Sequence, residues 1–179
     1  MSRTQRSVEL VPHDPAWADT ARAESERLKG ALGAVFVGAH HIGSTAIPGI
    51  KAKPIVDLLP LVRSLEELDA QADRVKSLGY DWRGEFGITG RRFCTLDDSQ
   101  TDKRLIHVHF FTEGWPDVER HLCFRDYLRA HPDEARVYEG EKLRAAALHP
   151  DDVAAYTDAK GPWIKACEQR ALDWARARG

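Results

Sequence analysis

Two histidines one residue apart, His107 and His109 in RLIHVHFF, follow a single aspartate set in an apolar run, Asp57 in PIVDLLP. In a strand, period-two spacing puts both imidazoles on one face. There they can ligate a divalent metal, or contact phosphate when protonated. Two satisfied histidines at an aromatic boundary would show the same spacing. Asp57 is costly to bury without compensation. A metal, a cationic partner or several hydrogen-bond donors would offset that cost, as would capping a strand end or pairing with a lysine. The residue that shares its strand face two positions on is Leu59, so Asp57 has no acidic neighbour there.

A second group precedes Asp57 in HHIGSTAIPGIKAKP. The Gly43-Ser44 turn can expose backbone N–H groups and a hydroxyl to an anion, with Lys51 and Lys53 adding charge. The G-x-x-x-x-G-K-S/T pattern is absent, and a turn that needs glycine and serine only for its shape would look alike. His40 and His41 point to opposite faces if the strand continues through them. His41, nearest the turn, is the pocket candidate. Arg91 and Arg92 are a candidate anion clamp or a solvated hairpin rim. Arg125 and Arg129 share a helix face and can border a pocket or form surface ion pairs. Ser44, His109 and Asp57 make no persuasive catalytic triad, because chain order says nothing about hydrogen-bond reach. No C-x-x-C motif occurs.

These groups need elements to hold them. Residues 1–7 are polar and expected to fray, and VELVPHDPAW enters as a strand or irregular arm. Asp14 or Pro15 starts a helix that Gly33 ends. AVFVGAHHIGS opens as a strand, and PIVDLLPLV is a second, buried strand whose regular pairing should stop near Pro60. SLEELDAQADRVKSLG is the clearest amphipathic helix: Ser64 is the N-cap, Glu67 the box residue and Gly79 the stop. YDWRGEFGITGRRFCTLDD reads as strands or a hairpin with a glycine-rich loop, and LIHVHFF as a strand. Beyond GWPD the pattern turns helical, with breaks expected at His131-Pro132 and Gly161-Pro162.

The fold class is therefore α/β (α+β). We read residues 1–179 as one domain, with a mixed α/β core over 1–115 and a helical part over 116–179. Apolar residues make up 42% and charged residues 30%, ordinary for a globular chain. A net charge of −2 gives no global argument for nucleic acid or an anionic membrane. Cys94, Cys123 and Cys167 are too far apart for a disulfide framework or a short-spaced zinc motif. The sequence has neither a secretory pattern nor a transmembrane stretch, so a cytoplasmic location is expected. It is silent on oligomeric state.

HHIGSTAIPGIKAKPIVDLLP resembles the signature region of the GrpB family. VELVPHDPAW, RLIHVHFF and LCFRDYLRAHPDEARVYEGEKLRAA resemble further parts of it. That family looks nucleotidyltransferase-like, which implies a mixed β-sheet flanked by helices. By resemblance, Gly43 and Ser44 match the phosphate-side turn and Asp57 the first acidic position. Leu59 stands where an active transferase carries its second acid, and His107 or His109 lies in the strand where a third is expected. The resemblance implies metal-dependent nucleotidyl or phosphoryl transfer to a small molecule. In that reading Asp57 and His107 are catalytic, and Asp57, His107 and His109 hold Mg²⁺ or a transition metal. His41, Gly43, Ser44, Lys53, Arg91, Arg92 and Arg125 bind the nucleotide or other ligand. One carboxylate is a weak anchor for two divalent ions, and imidazoles favour a transition metal over Mg²⁺. The alternatives are a non-catalytic nucleotide- or small-molecule-binding module, or metal-dependent small-molecule chemistry at the Asp-His-His set.

Overall fold

Alternation along two neighbouring strands decides where the polar groups go. In β2 (Val56–Val62) and β5 (Arg104–Thr112), Val56, Leu58, Val62, Ile106, Val108 and Phe110 enter one core. Successive side chains point to opposite faces, so Asp57, Leu59, His107 and His109 share the other. The computed structural model describes residues 7–179, and the expectation for residues 1–6 lies outside the described residues.

Among the described residues the sheet has five strands, in the order β1-β2-β5-β4-β3. β1 spans Phe36–Ile42, β3 Asp81–Trp82 and β4 Arg92–Asp97. β2 and β5 run parallel at the centre, and the other pairings are antiparallel. This is the expected mixed sheet flanked by helices. Helix α1 (Ala16–Leu32) covers the first face with Trp17, Leu28 and Leu32. Asp14 accepts from the Ala16 N–H at its start, and Gly33 closes it at φ 55°. The arm before it makes one antiparallel bridge, Val11 to Ala52.

Three helices follow the sheet: α4 (Pro116–Ala130), α5 (Pro132–Leu148) and α6 (Val153–Arg178). Val118 of α4 packs with Ile42, Leu59, Leu61 and Phe111 on the second face of the sheet. Phe124, Tyr138, Cys167 and Ala171 join the three helices in a core that also takes in Ile47 and Ile50. Among the described residues no helix is long and apolar enough to cross a membrane.

Three boundaries differ from the sequence reading. Strand β2 continues through Pro60 to Val62. Its register with β5 steps from Leu58↔Val108 to Leu61↔Phe111, passing over the proline that lacks a ladder donor. The helix expected after Ser64 is two short ones, α2 (Leu65–Asp69) and α3 (Ala72–Ser77), broken at Ala70-Gln71. Ser64 caps the first by accepting from the Glu66 and Glu67 N–H groups, while Leu68 and Val75 still reach the core. Helix α6 runs unbroken past Gly161-Pro162. Pro162 and Asp158 are both exposed, so the Asp158 carbonyl that loses its helical donor can meet water.

Proline inside an exposed helix costs up to about 3 kcal/mol relative to alanine. Pro162→Ala should therefore raise stability by about 1–3 kcal/mol in urea unfolding. A loss of stability would show that the ring contributes packing.

Candidate functional site

Strand register builds the centre of the site. Asp57 lies directly beside His107 in the parallel β2–β5 pair, and His109 follows two residues along the same face. Asp57 Oδ1 is 3.3 Å from His107 Nδ1 and 3.0 Å from His109 Nε2. The possible ligand atoms of these three residues all lie within 4.8 Å of one another. The Asp57 side chain keeps 27% of its exposure, enough to be reached from the cleft in front of it. Burial pushes its carboxyl upward, but hydrogen bonds and positive charge from the two histidines outweigh that and hold it well below the usual carboxylate range. Burial lowers the His109 pKa, partly opposed by Asp57.

Arg91 stands behind this group and is only 7% exposed. Its guanidinium donates to the Glu85 and Phe86 carbonyls at 3.2 and 2.8 Å, and its Nη1 lies 3.4 Å from His109 Nδ1. Because arginine only donates, His109 Nδ1 is the acceptor and Nε2–H is left to donate to Asp57. Arg91 thus positions His109 and holds the glycine-rich loop. Arg92 faces the other way. It pairs with Phe110, whose side chain enters the α1 core, and paired residues share a face. Its guanidinium binds both oxygens of Asp69 at 2.7 Å. The two arginines do not form one clamp.

The Gly43-Ser44 turn abuts Asp57 from the side. Gly43 has φ 72°, and a Cβ there would sit 2.8 Å from Asp57 Oδ2. Only glycine permits both the backbone angle and that approach. Ser44 Oγ–H donates to Tyr138 Oη at 3.1 Å, tying the turn to α5.

A cleft of about 250 Å³ opens over these residues, lined by Gly43, Ser44, Lys53, Asp57 and His107 from the sheet side. Its opposite wall comes from α5 and α6 and was not anticipated. Tyr138 and Lys142 line it from α5, and Tyr156 and Lys160 from α6. Each pair is spaced i,i+4 and so shares a helix face. The repeated Tyr-x-x-x-Lys spacing, YEGEK and YTDAK, was the signal available in the sequence.

His41 and Arg125 lie outside this cleft. His41 Nε2 is 2.8 Å from Thr45 Oγ1, and its ring lines a larger groove of about 530 Å³ between α1 and β1, with Arg129. Arg125 donates to the His41 carbonyl at 3.2 Å and to Asp126 at 2.8 Å, fastening α4 to β1. All three cysteines are free. Burial pushes the Cys94 thiol up to about 12 and the Cys167 thiol up to about 11, which leaves both unreactive.

A family model described as GrpB protein matches residues 7–170. The chain is 44% identical over 174 residues to the UPF0157 protein YqkA of Bacillus subtilis, covering 97% of this chain and 50% of that one. It thus spans about half of that relative's length. The crystal structure of conserved protein GrpB from Enterococcus faecalis superposes with a TM-score of 0.86 at 35% identity, covering 93% of this chain and 99% of that one. The structure of Cid1 with its short product ApU superposes with a TM-score of 0.52 at 12% identity, over 76% of this chain and 42% of that one. The last likeness is one of fold.

Two outcomes follow from this geometry. Gly43→Ala should destabilise the protein by about 1–3 kcal/mol in denaturant unfolding, since the turn or Asp57 must move. Unchanged stability would contradict the close approach. His41 has its pKa lowered from 6.5 to about 4, chiefly by burial, with Arg129 and Arg125 adding to the shift and Asp57 opposing it. Its neutral ring therefore contributes stability that is fully present above pH 6.5 and lost as pH falls toward 4. The melting temperature should drop over that window, and drop less in His41→Asn.

Proposed function

The chain belongs to the GrpB family, and from that premise we propose that it carries out divalent-metal-dependent chemistry on a small molecule bound over Gly43, Ser44 and Asp57. The observation that carries the reading is the convergence of one carboxylate and two imidazoles, whose possible ligand atoms lie within 4.8 Å of one another. Asp57 supplies the anionic oxygen and His107 and His109 supply nitrogen. This donor set suits zinc, manganese or iron better than Mg²⁺, which prefers oxygen. The metal would supply a Lewis acid or an activated water. Metal ligation by His109 Nε2 would require the neutral ring to carry its proton on Nδ1 instead, so the long 3.4 Å Arg91 contact to Nδ1 would have to give way.

Nucleotidyl or phosphoryl transfer is the finer form of this proposal. The nucleotidyltransferase-like fold and the Gly43-Ser44 turn support it. In that form Asp57 would hold the ion and His107, which lines the cleft, would be the candidate proton acceptor. Leu59 favours the alternative of binding without transfer. It is fully buried among Ile42, Leu61, Phe111 and Val118, so the strand position next to Asp57 offers no second oxygen ligand.

Titration with Zn²⁺ and Mn²⁺, followed by metal analysis of the dialysed protein, tests the reading. Wild type should retain about one ion per chain. Asp57→Asn and His109→Ala should each lose at least about tenfold in affinity, the order of effect expected for a metal ligand or its immediate support. Equal retention by wild type and both variants would sink the site.

A further inference from the structure

The wall supplied by α5 and α6 carries charge that the proposed metal chemistry leaves unused. Lys53, Lys142 and Lys160 all line the cleft in front of Asp57. Lys142 is 1% exposed, donates to the Lys51 carbonyl and lies 4.7 Å from the centre of the Tyr138 ring. The ammonium groups of Lys53 and Lys160 sit against one ring, 5.2 and 4.5 Å from the centre of Tyr156. Among the described residues, none of the three has a carboxylate within ion-pair distance. The one acid that lines the cleft, Asp57, is engaged by His107 and His109. Glu139, whose charge partly opposes the shift on Lys142, accepts from the Lys51 backbone N–H.

Clustered ammonium groups without a counter-charge are unfavourable out of water. The cost shows in their protonation. Burial, then the neighbouring Lys160 and Lys53, lowers Lys142 to about 7, with Glu139 opposing the shift. Burial, then Lys53, lowers Lys160 to about 8, with Asp57 opposing. Tyr156 adds a second unmet demand: it is fully buried, lines the same cleft, and among the described residues its hydroxyl has no hydrogen-bond partner. A ligand with several negative oxygens would answer both.

We infer that this face of α5 and α6 is the anion-binding half of the site, and that the ligand carries a diphosphate or triphosphate group held by Lys53, Lys142 and Lys160. Three point-like ammonium groups arranged around a cleft match charge spread along a phosphate chain better than one carboxylate. The ligand's position beside the metal rests on the proposed metal site, but its anion class rests on the lysines alone. The helical part of the chain, joined to the turn through Ser44 and Tyr138, thereby contributes directly to ligand recognition.

Calorimetry with inorganic tripolyphosphate, pyrophosphate and citrate, in metal-free buffer, tests the inference on the full chain. Tripolyphosphate should bind more tightly than pyrophosphate, and citrate least. Lys53→Gln and Lys160→Gln should each weaken tripolyphosphate binding about tenfold, the loss of one charge-assisted contact. Lys165→Gln, an exposed position on the same helix, should leave it unchanged. The inference is overturned if tripolyphosphate does not bind, if citrate binds as tightly, or if Lys165→Gln weakens binding as much as the cleft variants. Circular dichroism confirms that the variants fold. Failure of Zn²⁺ and Mn²⁺ to bind would remove the metal reading without altering these results, and loss of tripolyphosphate binding would leave the metal reading standing.

Discussion

The structure turns on a carboxylate placed where the sheet would otherwise be apolar. Asp57 sits in β2 between Val56 and Leu58, both buried in the core beneath. Its charge is kept because the parallel register with β5 delivers two imidazoles to the same face. A shift of β5 by one residue would exchange them for Val108 and leave the carboxylate without either partner. The apolar packing of one face and the polar chemistry of the other therefore fix the same register, and each depends on the other.

The rest of the fold shapes the space in front of that group. Gly43 brings the turn against Asp57 at a distance that a side chain would obstruct. Arg91 fixes His109 from behind while satisfying two carbonyls of the glycine-rich loop. Ile47 and Ile50 dock the segment between turn and strand into the core formed by α4, α5 and α6. Through that docking the Tyr-Lys faces of α5 and α6 close over the cleft. The two halves of the site thus come from parts of the chain whose physics differ: a sheet that sets distances, and a helical core that sets the opposing charge.

The main strands and the shared face of His107 and His109 could be read from the sequence because period-two alternation is a local signal. The same holds for Ser64 and Gly33, whose chemistry marks the helix ends. Bringing Asp57 beside the two histidines takes the long-range β2–β5 pairing and was implied only by the family resemblance. What failed were inferences that ignored neighbours. Pro60 and Pro162 break regular structure in isolation, but β2 passes over the missing donor and α6 exposes the missing bond to solvent. Arg91 and Arg92 look alike as a pair, yet Arg91 ends the loop against His109 while Arg92 opens β4 on the face of Phe110 and binds Asp69. The Tyr-x-x-x-Lys spacing of Lys142 and Lys160 is visible in the sequence, but their place in the cleft wall depends on the packing of α5 and α6 against the turn, which no window of sequence contains. His41 lies close to the turn in sequence, but its ring belongs to the groove beside α1.

The central claim is that Asp57, His107 and His109 hold one metal ion. X-ray diffraction from Zn²⁺-soaked crystals, collected on both sides of the zinc absorption edge, addresses it directly. The account predicts an anomalous peak within ligating distance of Asp57, His107 Nδ1 and His109 Nε2, at about 2.0–2.2 Å. A peak at other residues, or no peak between these three at saturating zinc, would contradict it.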